Sequence, residues 1–242
     1  MWYNGQVIKT EDASPVTRRF WVEIQPEEGK EVKFSFQAGQ FVTMDLPIHE
    51  KRLNRWRSYS IANAPDESNI LEFCIVRLEN GLATNYLFDE IKVGSSLRFK
   101  GPEGTFVVKE PIERDMVMVC TGTGVVPFRS MLWDIFYKNI PHRNIHLIYG
   151  TRHADNILYR EEFEFMTKEM PGFKYDIVLS KEENWPGYKG HVHQVYLNTY
   201  QEPQPDRHFY LCGWSYMIDE AVANLLIKLR YDRTQVHYEL YG

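Results

Sequence analysis

The rhythm of apolar and polar positions changes about halfway along the chain. In the first part, apolar side chains fall at every second position of short runs. Val16-Thr17-Arg18-Arg19-Phe20-Trp21-Val22-Glu23-Ile24 is one such run, and Phe34-Ser35-Phe36 leads into Gly39-Gln40-Phe41-Val42-Thr43-Met44. Arg57-Ser58-Tyr59-Ser60 and Leu71-Glu72-Phe73-Cys74-Ile75-Val76-Arg77 continue the series. Pro26, Gly29, Gly39, Val93-Gly94 and Gly101-Pro102-Glu103-Gly104 punctuate it. A period of two between frequent turn formers predicts short strands closing into an antiparallel β-barrel. One stretch departs from this pattern: Gly81-Leu82-Ala83-Thr84-Asn85-Tyr86-Leu87, where a glycine turn opens a short helical run.

Beyond Lys109-Glu110-Pro111-Ile112-Glu113-Arg114, which reads as a linker, the apolar runs become continuous. Met116-Val117-Met118-Val119-Cys120 has no polar face, as expected of a strand buried on both sides in a parallel sheet. Runs of the same kind stand at 146–149, 175–179, 209–212 and 236–240, with helical segments at 127–137, 160–170, just after Val192, and 216–229. Met217, Ala221, Leu225 and Leu229 recur at helical spacing and read as packing. The expectation is two domains. Residues 1–110 form the antiparallel barrel, and residues 111–242 form a doubly wound α/β parallel-sheet domain that binds ligands at the carboxyl ends of its strands.

Composition narrows the function. A chain of 242 residues, 43% hydrophobic and 25% charged, has material for two ordinary cores. Its net charge of −5 argues against a nucleic-acid-binding protein. The start, Met-Trp-Tyr-Asn-Gly-Gln, is not that of a signal peptide, and no run reaches the ~18 apolar residues of a membrane span. Cys74, Cys120 and Cys212 are scattered, which suits a reducing cytoplasm and leaves too few thiolates for an iron–sulfur cluster. His191 and His193 lack an apparent third ligand, so no metal site is expected.

The candidate chemistry lies in three places. On a strand, Arg57 and Tyr59 share one face, and a planar guanidinium suits a phosphate while an aromatic ring suits a flat heterocycle. An ordinary barrel strand is the bland alternative. The helix start at Gly81 to Thr84 offers unsatisfied N–H groups to an anion, or is simply a capped helix. Thr121-Gly122-Thr123-Gly124-Val125-Val126-Pro127 follows a buried strand and precedes a helix, as a dinucleotide loop does. Pro127 stands where a third glycine would, and a proline in a first helical turn removes no helix hydrogen bond. Lys51, Arg52, Arg55 and Arg57 form a basic cluster that reads either as a solvated loop or as a docking surface.

Together these segments resemble the ferredoxin–NAD(P)H reductase superfamily over essentially the whole chain, in its form without an iron–sulfur module. The resemblance implies FAD on the barrel: Arg57 on the pyrophosphate, Tyr59 stacked on the isoalloxazine, Ser58 within the motif, and Ser60 hydrogen-bonded near N5. It also implies Cys74, Ile75 and Val76 bordering the flavin, and Gly81, Ala83 and Thr84 at a phosphate. For NADH or NADPH it implies Thr121, Gly122, Thr123, Gly124 and Pro127 at the dinucleotide, with Cys212 and Gly213 beside the nicotinamide. Glu239-Leu240-Tyr241 resembles the terminal Glu-x-Tyr of plant-type members, whose aromatic ring covers the flavin; Gly242 follows it here. Ser60, Cys212, Glu239 and Tyr241 are thus the expected catalytic group, orienting and relaying protons. Ser180-Lys181 stands where NADP-using members carry Ser-Arg. The carboxylates of Glu182 and Glu183 beside it lean the expectation slightly to NADH. The implied function is hydride exchange between nicotinamide and flavin, with single electrons passed to a separate ferredoxin, flavodoxin or oxygenase component. A reductase of free flavin and a non-catalytic redox- or nucleotide-sensing module are the competing readings.

Overall fold

The computed structural model describes residues 1–26 and 33–241; the turn expected at Gly29 and the terminal Gly242 lie outside the described residues. By contacts the chain forms two units. Met1–Val107 and Val126–Asp134 make the first, and Val108–Val125 with the chain from Ile135 onward makes the second.

In the first unit, β1 (Trp2–Ser14), β2 (Thr17–Ile24), β3 (Phe41–Asp45), β4 (Trp56–Ser60), β5 (Ile70–Val76) and β6 (Ser96–Glu103) form an antiparallel sheet, with α1 (Leu82–Asp89) between β5 and β6. The order is β4-β3-β6-β1-β2-β5. The alternating residues do what the pattern requires. Val7, Phe20, Val22, Val42, Met44, Phe73 and Phe99 meet in one core, each at most 1% exposed. Phe34 and Phe36 reach the same core from extended chain outside any strand; the Phe34 N–H donates to the Asn69 side chain at 3.4 Å.

The sheet curls until its end strands, β4 and β5, touch. Just past β4, the Ala62 N–H donates to the Glu72 carbonyl at 2.8 Å. The Asn63 side chain then acts as a further strand residue: its amide donates to the Ile70 carbonyl and its oxygen accepts the Glu72 N–H, both at 2.9 Å. Glu72 itself is 3% exposed. Its carboxylate accepts from Arg19 Nε at 2.8 Å and from Arg129 Nη1 at 3.1 Å. Arg129 also donates to the Ala62 carbonyl at 2.8 Å, and Ser130 Oγ donates to the Asn63 carbonyl at 2.7 Å. Arg129 and Ser130 lie in α2 (Val125–Tyr137), whose stretch Val126–Asp134 therefore clusters with the barrel.

In the second unit, β7 (Asp115–Thr121), β8 (Ile145–Thr151), β9 (Phe173–Leu179), β10 (Tyr188–Lys189), β11 (Arg207–Trp214) and β12 (Val236–Tyr241) form a parallel sheet ordered β10-β9-β8-β7-β11-β12. The helices α3 (Arg160–Glu169), α4 (His193–Thr199) and α5 (Ser215–Ala223) alternate with these strands. The continuous apolar runs are the central strands; residues 116–120 of β7 are all at most 2% exposed. Strand order reverses between β7 and β11, which opens a crevice at their carboxyl ends. The segment expected as one helix to Leu229 changes pitch after Ala223 into a π-helical turn, Asn224–Lys228. Asn224 is 2% exposed and donates its side-chain amide to Tyr196 Oη at 3.0 Å, while the Leu229 N–H reaches back to the Asn224 carbonyl. The wider turn lets Asn224 serve both partners. Among the described residues no helix is long and apolar enough to cross a membrane.

Candidate functional site

In the first unit the candidate residues gather where the barrel is least closed. β4 and β5 are the two ends of the sheet, joined at Ala62, Asn63 and Glu72. Cys74 to Val76 run on from that junction along β5, paired to β2 on one side. Arg57, Ser58, Tyr59 and Ser60 precede it on β4, paired to β3 on one side. The free edges of two strands thus flank one opening.

Arg57 Nη1 donates to the carbonyls of Trp56 (2.7 Å) and Asn54 (3.0 Å), and among the described residues no carboxylate pairs with it. Main-chain bonds aim the guanidinium without neutralising it, so its charge remains for an anion. Its neighbour Arg55, by contrast, is spent on Asp45 at 2.9 Å. The Tyr59 ring packs against the barrel core, and burial pushes its hydroxyl well above the usual phenol range, so it stays neutral. Ser58 is exposed and Ser60 is 6% exposed. Ile75 belongs to the core cluster and its side chain points inward; Cys74, 6% exposed, points to the opposite side. α1 starts at Leu82 with Gly81 as a cap that supplies no side-chain bond. The Thr84 hydroxyl is already used on Leu78 N–H (3.1 Å) and the Gly81 carbonyl (3.2 Å), shaping the turn. Main-chain N–H groups near Ala83 are what this turn offers an anion.

In the second unit, two glycines let the ends of β7 and β11 meet. A Cβ on Gly124 would lie 2.3 Å from the Cys212 carbonyl oxygen. Gly213 has φ +149°, and a Cβ there would lie 2.7 Å from Thr121 Oγ1. Gly122, at φ +55°, turns the chain into a 3₁₀ turn, Gly122–Gly124, that runs into α2, with Thr123 inside it and Pro127 in the helix's first turn. Thr121 Oγ1 is buried and, among the described residues, has no hydrogen-bond partner at this junction, an unspent polar group of the kind a bound ligand satisfies.

Cys120, Cys212 and Glu239 stand side by side in one row across β7, β11 and β12. Cys212 is fully buried. Burial, then the neighbouring Glu239, raise its thiol well above the ordinary range, while a side-chain hydrogen bond with Tyr241 pulls the other way. Burial thus favours the neutral thiol, which suits a group that orients a ligand more than a nucleophile. Ser180 and Lys181 lie away from this row, just past β9, their N–H groups bonded to the carbonyls of Thr151 and Arg152. Glu182 is turned onto the loop after β8, accepting from the Ala154 N–H (3.4 Å) and lying 3.3 Å from His153 Nδ1. Sequence reading gave Asn63 and Glu72 no role, and placed Arg129 and Ser130 only within the stretch resembling the family's nucleotide loop, whereas they bond Ala62, Glu72 and Asn63.

Two family models cover the chain, an oxidoreductase FAD-binding domain over residues 4–108 and an oxidoreductase NAD-binding domain over residues 118–223. Ferredoxin–NADP reductase B of Sorangium cellulosum is 30% identical over 99% of this chain and 97% of its own length. Phenol hydroxylase P5 protein of Acinetobacter pittii is 30% identical over 98% of this chain, which spans 65% of that protein. Among solved structures, Amycolatopsis cytochrome P450 reductase GcoB superposes with a TM-score of 0.87 at 26% identity, over 99% of this chain and 69% of that one.

Proposed function

This chain belongs to the ferredoxin–NAD(P)H reductase superfamily in its two-domain form, and from that premise we propose that it oxidises NAD(P)H through FAD and hands single electrons to a separate carrier protein. The observation that carries the reading is Arg57, an aimed guanidinium without a carboxylate partner among the described residues, at the opening between the barrel's two end strands. When bound, FAD supplies the conversion of a two-electron donor into a one-electron source.

The chain's own part is binding, orientation and exclusion of water. Arg57 holds the pyrophosphate, aided by the N–H groups near Ala83, and Tyr59 stacks on the flavin ring. Ser60 hydrogen-bonds the ring, and Cys74 to Val76 border it. The Thr121–Gly124 turn and Gly213 receive the dinucleotide, with Thr121 Oγ1 as an available hydroxyl. Cys212 orients the nicotinamide as a neutral thiol; Glu239 holds or relays a proton, and Tyr241 gates access. The carrier is a ferredoxin, a flavodoxin or an oxygenase component, a class to which relatives such as the anthranilate 1,2-dioxygenase electron transfer component point. Three buried free cysteines favour a reducing compartment such as the cytoplasm.

The test is purification followed by reduction assays against a panel of carriers. The reading expects a yellow protein with stoichiometric FAD and NAD(P)H-dependent reduction of at least one carrier. Protein without flavin that turns over only with added free flavin would overturn it. NADH is the proposed preferred donor, and a kcat/KM favouring NADPH by more than about tenfold, some 1.4 kcal/mol, would reverse that choice.

A further inference from the structure

β12 is the edge strand of the parallel sheet, paired to β11, and it carries Glu239 and Tyr241. Two residues before Glu239, on the same face, stands His237. His208 Nδ1 lies 2.9 Å from His237 Nε2, and Arg114 Nη1 lies 3.0 Å from His208 Nε2. The His237 ring lies between two others, 5.2 Å from His208 and 4.7 Å from Tyr210, both near-parallel. A guanidinium only donates, so His208 Nε2 must accept and its Nδ1 must carry the hydrogen. His237 Nε2 must then accept in turn. The chain Arg114→His208→His237 therefore works only with both rings neutral. A proton added to either ring sets two N–H groups against each other at one of the two junctions, because turning one tautomer moves the clash to the next.

We propose that the Arg114–His208–His237 chain is a positioning element that registers β12, and with it Glu239 and Tyr241, and that it lets go on acidification. Its surroundings agree. The charged groups facing His237 are Lys109 and Arg114 from the segment before β7 and Arg233 from the turn before β12, all cations that oppose protonation; Tyr210 of β11 faces it as a neutral ring. Glu239, one pleat further along β12, is the carboxylate on the same face. The inference rests on the functional reading for what Glu239 and Tyr241 do, but the fastening itself is independent of it.

The test compares wild-type holoprotein with His237→Gln, which keeps an acceptor and cannot titrate, and His237→Lys, which fixes a positive charge. Hydrogen exchange of the β12 amides is read at each pH, together with the rate of flavin reduction by NADH. Relative to His237→Gln at the same pH, wild-type β12 should exchange about tenfold faster at pH 5 than at pH 7.5. His237→Lys should show the faster exchange already at pH 7.5. Equal pH dependence in wild type and His237→Gln, or wild-type protection in His237→Lys, overturns the inference. Exchange that responds as expected while flavin reduction does not would sustain the fastening and overturn the roles proposed for Glu239 and Tyr241.

Discussion

Replacing Arg129 by Met should loosen the barrel at its closure. Inside the first unit Arg129 donates to the Ala62 carbonyl (2.8 Å) and to the Glu72 carboxylate (3.1 Å). Breaking a buried ion pair by removing one partner costs about 3–5 kcal/mol when the remaining charge is stranded. Glu72 keeps Arg19 at 2.8 Å, so its charge is not stranded, and the lower end applies. Loss of one donor to a buried carbonyl costs about 1–3 kcal/mol. Met restores most of the volume and adds little cavity cost, so the lower ends of the two losses together put the single change at about 4 kcal/mol. Glu72→Met in the same background removes the charge that needed a partner, so the double variant should be less damaged than the sum of the singles, by at least about 1 kcal/mol. Urea denaturation followed by flavin fluorescence, as a double-mutant cycle, measures this. Because Ala62 and Glu72 close the strands bearing Arg57–Ser60 and Cys74–Val76, FAD should also dissociate faster from the single variant. Additive effects within about 0.5 kcal/mol, with unchanged FAD release, would show that the three groups are neighbours without coupling.

Arg57→Ala should lose a charge-assisted contact worth about 1.5–3 kcal/mol, one to two decades of FAD affinity; protein that stays fully yellow after dilution and gel filtration would contradict this. Cys212→Ala and Glu239→Gln should each slow flavin reduction in stopped flow at unchanged FAD content, and unaltered rates in both would remove them from the site. Acid should destabilise the fold before the carboxylates titrate. Burial holds His146, His193 and His237 below the ordinary histidine value and takes His208 down to about 4. The unfolded chain therefore binds protons that the folded chain refuses, and stability is lost as pH falls from about 6.5 towards 4. A denaturation midpoint that stays level over that window would refute this.

Much of this was legible in advance because it depends on local periodicity. The alternation in β2 and β5 and the unbroken apolar run in β7 fix which faces are buried, and the turn at Gly122–Gly124 is written in its residues. The polar contacts across the first unit were not legible. Glu72 sits in Leu-Glu-Phe-Cys-Ile, where alternation sends it outward and so suggests solvent; its burial is matched by two arginines, each more than fifty positions away, one earlier and one later in the chain. Asn63 reads as a turn residue, yet it completes a ladder. Phe34 and Phe36 read as strand because their pattern is correct for burial, but burial does not require a pairing partner. His208 and His237 meet only through the register of β11 on β12.

The depth at which the thiols lie has a practical side. All three cysteines are buried, and burial raises those of Cys120 and Cys212 well above the range in which thiolate forms. Maleimide is attacked by thiolate, so the folded chain should stay unmarked by it with no cysteine removed. Leu53→Cys, at a position 75% exposed in the first unit, or Tyr216→Cys, at one 87% exposed in the second, would each introduce the single quickly reacting thiol. The molecule can therefore take a fluorophore or spin label in either unit without disturbing the row that holds Cys212.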